Sequence, residues 1–226
     1  MSLRPFDSFY ATAVLHKGGE AQVESQLPKP LTSKQLAAIS DDRYLSTLSL
    51  RIFRAGLKHS MVDAKWPAFE EVFFGFDPLR VAMLSDEELE GLMQDARIIR
   101  HFGKIKAVRA NATWMLDVVG REGSFGQWIA GWPTDNIVGL WAQLKKHGSQ
   151  LGGQSGARFL RMVGKDTFLL TDDVVNVLKA EGVVDKMPSS QKALQTVQQA
   201  FNTWQQQSGR SLSEISRVLS YTVNVS

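Results

Sequence analysis

Along most of this chain apolar positions recur every three to four residues, and almost nowhere do they alternate strictly with polar ones. That period predicts helices and argues against strands. Over residues 136–147, Ile137, Leu140, Trp141 and Leu144 share one face. Over residues 100–119, Ile105, Val108, Ala112, Met115 and Val119 face inward, with Arg100, Lys104, Lys106 and Arg109 on the other side. From Asp41 to about His59, apolar residues (Leu45, Leu48, Leu50, Ile52, Phe53, Leu57) occupy more than one face, which predicts a buried central helix. Thr32 and Ser33 are placed to cap a helix over residues 34–39. Asp77 and Asp86 each precede a short helical stretch, the second with Leu89, Leu92, Met93 and Ala96 as its core face. Pro188, Ser189 and Ser190 open a helix carrying Leu194, Val197, Phe201 and Trp204, and Ser211 caps a last one with Leu212, Ile215 and Leu219. Residues 1–31, with Gly18-Gly19 and Pro28-Lys29-Pro30, read as largely irregular. The expected fold class is all-α.

One stretch departs from plain amphipathic helix. Leu151, Gly152, Gly153, Gln154, Ser155 and Gly156 form a glycine-rich turn between the helix at 136–147 and a short apolar helix over residues 157–162. Glycines let backbone amides approach an anion, and a helix starting there turns its free N–H groups and positive dipole end toward it. Lys165-Asp166-Thr167-Phe168-Leu169-Leu170 then runs into Thr171-Asp172-Asp173, which opens another helix ending at Gly182. Thr, Asp and Asp at such a position are also ordinary caps.

Composition narrows the chemistry. With 226 residues, 43% of them hydrophobic and 22% charged, the chain is long enough for a substantial core, as one large domain or two intimate small ones. It has no cysteine, which excludes disulfides, thiolate zinc sites and iron–sulfur clusters. His16, His59, His101 and His147 lack ligand spacing, so no metal site is expected. No apolar run approaches the roughly 20 residues of a membrane span, and no signal peptide is visible, so the expectation is a cytoplasmic protein without a membrane partner. A net charge of +3 hints weakly at a polyanion.

Helix, glycine hairpin, helix and an acidic pair at the next helix start together resemble the helix-hairpin-helix DNA glycosylase superfamily. Locally, Lys165-Asp166-Thr167-Phe168-Leu169 before Asp172-Asp173 is similar to the inducible 3-methyladenine glycosylases. Residues 41–116 resemble 3-methyladenine DNA glycosylase I through Arg54-Ala55-Gly56-Leu57, Phe76-Asp77-Pro78 and the run from Gln94 to Ala107, QDARIIRHFGKIKA.

The resemblance implies a monofunctional N-glycosylase of base-excision repair, acting as a monomer on double-stranded DNA with a damaged base, at the nucleoid if bacterial. An alkylated purine such as 3-methyladenine is the substrate class it suggests. A single glycosylase-like domain over 1–226 would comprise two intimately packed helical subdomains. The hairpin would span about 137–164 and the helix of the catalytic aspartate 171–181, with the N- and C-terminal helices forming the second subdomain. Leu151, Gly152, Gly153, Gln154, Ser155 and Gly156, with Lys104, would bind DNA. Asp173 would be catalytic, with Asp172 the alternative if the register slips by one. No cofactor is implied beyond a monovalent cation at the hairpin.

The departures are equally specific. Arg51 stands where 3-methyladenine DNA glycosylase I has its pocket glutamate, and His59 where it has a pocket tryptophan; its N-terminal zinc ligands are missing. Trp128 and Trp132, expected in a loop before the hairpin, are candidates for stacking on an extruded base. Arg51, His59, Trp128 and Trp132 are thus the candidate base pocket. Bifunctional relatives carry a hairpin lysine where this chain has Ser155, which implies no strand-cleaving chemistry; Lys165, ten residues on, is the neighbouring amine that could substitute, and it is expected to stay solvated. The competing reading is a DNA-binding module without catalysis, and a further one a glycosylase for another lesion.

Overall fold

The structure, a computed structural model, describes residues 3–223. Among these residues there are fourteen α-helices and no strand, so the all-α expectation holds. In chain order they begin with α1 (Phe6–Lys17), α2 (Glu20–Glu24), α3 (Ser33–Ala37), α4 (Asp41–Arg54), α5 (His59–Val72), α6 (Pro78–Ala82) and α7 (Asp86–Gly91). The long α8 (Phe102–Glu122) is followed by α9 (Phe125–Gly131), α10 (Ile137–His147), α11 (Ser155–Met162), α12 (Asp172–Ala180), α13 (Gln191–Ser208) and α14 (Leu212–Tyr221). No helix among the described residues is long and apolar enough to cross a membrane.

Several starts follow the caps written in the sequence. Thr32 and Ser211 each make a reciprocal capping box, with Gln35 and Glu214, and Ser190 accepts a hydrogen bond from the Ala193 amide. Two expectations fail. Residues 1–31 are not irregular but carry α1 and α2. In α1, Phe6, Phe9 and Ala13 are buried while Leu15 is exposed, so apolar residues do not segregate to one face and periodicity gives no signal. The helix expected over 41–59 stops at Arg54. Gly56, with φ 75°, turns the chain there, and His59 starts a separate α5.

The chain divides into two compact units. The first comprises residues 1–31, 132–142 and 164–226, the second residues 32–131 and 143–163. In the first unit α1 packs on α13 and α14, and α12 packs on α14. Its core is aromatic: Phe168 stacks on Phe201 at 4.2 Å between ring centroids, Trp141 meets Phe168 at 4.7 Å, and Phe9 meets Trp204 edge-on at 5.5 Å.

In the second unit α4 is central. It touches α5, α8, α9 and α11, and its Tyr44, Leu45, Leu48, Ile52 and Phe53 are at most 1% exposed. Its ring contacts run to Phe125 (5.5 Å), Phe159 (6.5 Å) and Phe69 (4.5 Å). α3 lies close on α9, where a side chain at Gly126 would come within 2.8 Å of the Leu36 carbonyl.

Candidate functional site

The glycine hairpin is a tightly braced turn. α10 ends at His147, and the Gly148 amide donates to the Leu144 carbonyl at 2.9 Å. A Cβ at Gly148 would lie 2.5 Å from Leu151 Cδ1 and 2.7 Å from the Leu144 carbonyl, so only glycine fits. Gln150 and Gly153 take the left-handed conformation, with φ of 59° and 58°. Leu151 points inward, 1% exposed, as the plug under the turn. α11 then starts at Ser155, two residues earlier than the sequence pattern suggests.

The brace comes from α8. Asn111, fully buried, accepts from the Ser149 amide at 2.7 Å and donates Nδ2 to the Ser149 carbonyl at 3.0 Å. Gln150 Nε2 donates to the Gly103 carbonyl at 2.8 Å, a second tie to the start of α8. Gly152 and Gly153 are exposed. Among the described residues, none accepts a hydrogen bond from the amides of Gly153 and Gln154. Open amides leading into a helix N-terminus form an anion cradle. Exposed Lys145, Lys146 and Arg158 add positive charge on the flanking helices. A cation at this turn would have to be held by main-chain carbonyls, since the turn has no carboxylate. More generally, no group of three or more His, Asp or Glu suited to a metal occurs among the described residues.

The acidic pair is held by a different set of contacts, all within the first unit. Lys165 is not solvated as expected but 4% exposed, with Nζ donating to the Trp132 carbonyl at 2.5 Å. Burial pulls its pKa below the ordinary lysine value, against the raising effect of Asp166. Asp166 accepts from the amides of Leu212 (3.1 Å) and Ser213 (2.8 Å), capping the start of α14. Thr167 exchanges hydrogen bonds with Ser213 and accepts from Trp141 Nε1 at 3.1 Å. These contacts fix the approach to Thr171, whose side chain accepts from the Val174 amide and caps α12. Asp172 and Asp173 are therefore the first two residues of α12, the former exposed and the latter half-buried. Among the described residues no donor hydrogen-bonds either carboxylate.

Other predicted site residues fare differently. Lys104 is removed from the DNA-binding set: it is 7% exposed, and its Nζ donates to the carbonyls of Phe53 (3.2 Å) and Ala55 (2.6 Å) at the end of α4. Arg109 is likewise engaged, with the Leu84 carbonyl and Asp86. Arg100 and Lys106 remain exposed on that face. Trp128 is not in a loop but inside α9, where it packs on Trp114 (5.7 Å) and Phe125 (5.1 Å). Trp132 follows α9, belongs to the first unit, and donates Nε1 to the Asn136 carbonyl at 2.8 Å. His59 is exposed at the start of α5.

Arg51 is half-buried on α4. Its Nε is shut off from solvent without a hydrogen-bond partner. Burial first, then the charges of Arg158 and Arg54, lower its pKa. Arg51, Lys104 and the turn at 148–153 share the second unit; Asp172, Asp173, Trp132 and Lys165 belong to the first. Sequence reasoning missed Asn111 and Arg158. Asn111 announced itself only as a lone amide on the inward face, beside Val108 and Ala112.

A sequence model of the methyladenine glycosylase family matches residues 36–153, just over half of the 226. The chain belongs to the methyladenine glycosylase family. The match takes in Arg51, Asn111 and the hairpin as far as Gly153, and stops before Asp172. DNA-3-methyladenine glycosylase 1 of Escherichia coli K12 is 46% identical over 65 residues, covering 29% of this chain and 35% of that protein. The methyladenine glycosylase family member described here thus spans about a third of the length of the curated relatives it matches. Among solved structures, 3-methyladenine DNA glycosylase I from Staphylococcus aureus, studied for its recognition of 3-methyladenine, superimposes with TM-score 0.51 at 22% identity, over 72% of this chain and 87% of that one. The 8-oxoguanine DNA glycosylase of Methanocaldococcus jannaschii gives TM-score 0.57 at 14% identity, over 95% and 93%. At such identities these two establish the fold, that of the helical DNA glycosylases.

Proposed function

We propose that this protein is a monofunctional DNA N-glycosylase of base-excision repair, acting on double-stranded DNA that carries an alkylated purine. The observation that carries the reading is the braced hairpin with its open amides, which the stretch matching the methyladenine glycosylase family takes in as far as Gly153. In this reading the amides of Gly153 and Gln154 grip one backbone phosphate. The damaged nucleotide turns out of the duplex, at a cost of a few kcal/mol that damage itself reduces. The bond between C1′ and the base nitrogen breaks, with its electron pair going to the base, and positive charge grows on the sugar. The Asp173 carboxylate stabilises that charge, an interaction strongest in the transition state. Water bonds to C1′ and gives up a proton, which passes to the base where the base leaves as an anion and to solvent where a base already cationic leaves neutral. Ser155 has no amine to form an imine with C1′, so the product strand stays intact at an abasic site.

The test is incubation with duplexes bearing single defined lesions, followed by detection of free base. Asp173→Asn should bind DNA and excise at least about a hundredfold more slowly. Full activity in that variant with loss in Asp172→Asn would shift the catalytic role by one residue; full activity in both would remove the acidic pair from the mechanism. Borohydride added during turnover should trap no protein–DNA adduct.

The second reading, DNA binding without catalysis, is motivated by Arg51, a cation where the resemblance implies a pocket glutamate. It predicts DNA affinity with no base released from any lesion duplex.

A further inference from the structure

The second unit holds a positive cluster that its own carboxylates do not balance. Arg51 lies on α4, and Arg158 on α11 and Arg54 are near enough to repel its charge. Lys104 is in turn repelled by Arg51. Arg54 is neutralised by Asp63 at 2.7 Å, and the Lys104 ammonium by two main-chain carbonyls. Among the described residues no ion pair or hydrogen bond satisfies the guanidinium of Arg51 or of Arg158. Arg158 is exposed and hydrated at no cost. Arg51 is different: its Nε is closed to water and unpartnered.

A buried donor without an acceptor, and a charge drawn out of water beside like charges, both destabilise a fold. Folding alone does not explain such a group; an incoming ligand that supplies acceptors does. Its position narrows the ligand. α4 packs directly on α11, and Arg158 sits three residues past Ser155, where α11 leaves the hairpin. A phosphodiester follows the surface and would meet the exposed Arg158. Only Nε of Arg51 is shut off; its terminal nitrogens stay open and, without a hydrogen bond among the described residues, present the planar fork of arginine to a ligand with matched acceptors.

We infer that Arg51 is the specificity-determining residue for the departing base, donating hydrogen bonds to the acceptor edge of an uncharged alkylated purine and disfavouring bases that carry a positive charge. This rests on the glycosylase reading. The chemistry is consistent with it. A base already cationic leaves as a neutral molecule, whereas a neutral adduct leaves with the electron pair of the broken bond as net negative charge. The Arg51 guanidinium keeps its proton and stabilises that charge through its hydrogen bonds, until the base takes a proton from solvent. A cationic base meets repulsion from Arg51 before it reacts, so discrimination works in both directions.

The experiment uses the full chain with three duplexes, one undamaged, one carrying ethenoadenine as the neutral adduct, and one carrying 7-methylguanine as the cationic one. Arg51→Gln should lower kcat/KM on the neutral adduct at least about tenfold, the scale of one charged hydrogen bond. Binding of undamaged duplex and its salt dependence should not change. Arg51→Glu should shift the preference toward the cationic lesion. Arg51→Met should melt no lower than the wild type, because no internal partner is lost. Equal loss of affinity for all three duplexes, with a log–log salt slope smaller by about 0.9, would make Arg51 a phosphate contact and overturn the inference. So would unchanged discrimination between the two lesions, or an unfolded Arg51→Met. The binding arm separates the two readings. If wild type releases no base from either lesion duplex but Arg51→Gln alters their relative affinities, the glycosylase reading fails and the role of Arg51 in base recognition stands.

Discussion

Replacing Asn111 tests whether the hairpin is braced from below. The amide makes two hydrogen bonds to Ser149, at 2.7 and 3.0 Å, and is fully buried. In Asn111→Ala both bonds vanish, and the Ser149 N–H and C=O lose the partner they have among the described residues. Each bond is worth about 1 kcal/mol net, and a main-chain group left without a partner adds more, so the expected loss is about 2–4 kcal/mol. Asn111→Leu fills the volume without restoring either bond and should lose a similar amount, which separates hydrogen bonding from packing. Asn111→Asp keeps an acceptor for the Ser149 amide but sets a carboxylate against its carbonyl, and should fall between. Urea unfolding reads the loss directly: with a slope of about 1–3 kcal/mol per M, the midpoint should drop by about 1 M. DNA affinity of the folded Asn111→Leu protein should fall as well, since the amides of Gly153 and Gln154 are no longer held in place. A loss under about 0.5 kcal/mol, within the range of ordinary surface changes, with unaltered DNA affinity would refute the brace.

Two further predictions concern stability. Gly148→Ala forces a methyl group to 2.7 Å from the Leu144 carbonyl and 2.5 Å from Leu151, so unfolding experiments should show a loss of about 1–3 kcal/mol, a cost that a neutral result would disprove. Lys104→Met tests the buried ammonium by its pH dependence. Burial holds the folded pKa of Lys104 below 10.5, so between that lower value and 10.5 the unfolded chain binds more protons and stability rises with pH; as pH falls through the folded pKa that contribution is lost. Unfolding midpoints of Lys104→Met should therefore climb less steeply than wild type in the alkaline range below 10.5, and parallel curves would show that Lys104 titrates normally.

What the sequence disclosed was local chemistry with a fixed register. Thr32, Ser190 and Ser211 cap where their side chains dictate, and the glycines from Gly152 to Gly156 mark a turn in which Gly153 takes the left-handed conformation. What it concealed was partnership across distance. Lys104 reads as one more cation on a basic face, because nothing in its neighbours along the chain reveals that α4 ends beneath it with two open carbonyls. Lys165 reads as solvated for the same reason, its acceptor being the Trp132 carbonyl 33 positions earlier. Trp128 reads as a loop aromatic because the seven residues of α9 are too few to show a period. Arg51 was legible as a departure from a family pattern, but only burial without a partner gives that departure a physical meaning.

The division of the first unit into three separated stretches has a consequence for how the chain is made. α1 is made well before its partners α13 and α14; the Phe6 amide bonds Gln207 at 3.0 Å, and Trp204 reaches back to the Arg4 carbonyl at 3.0 Å. On the ribosome, Phe6 and Phe9 must therefore wait uncovered until α13 and α14 have been made. The second unit has all of its residues once Val163 has emerged, and so it condenses first, while the helix of the acidic pair is still being added. Vectorial synthesis thus completes the glycine hairpin before Asp173 has left the exit tunnel, and it leaves α1 to find its place only after α14 has been made.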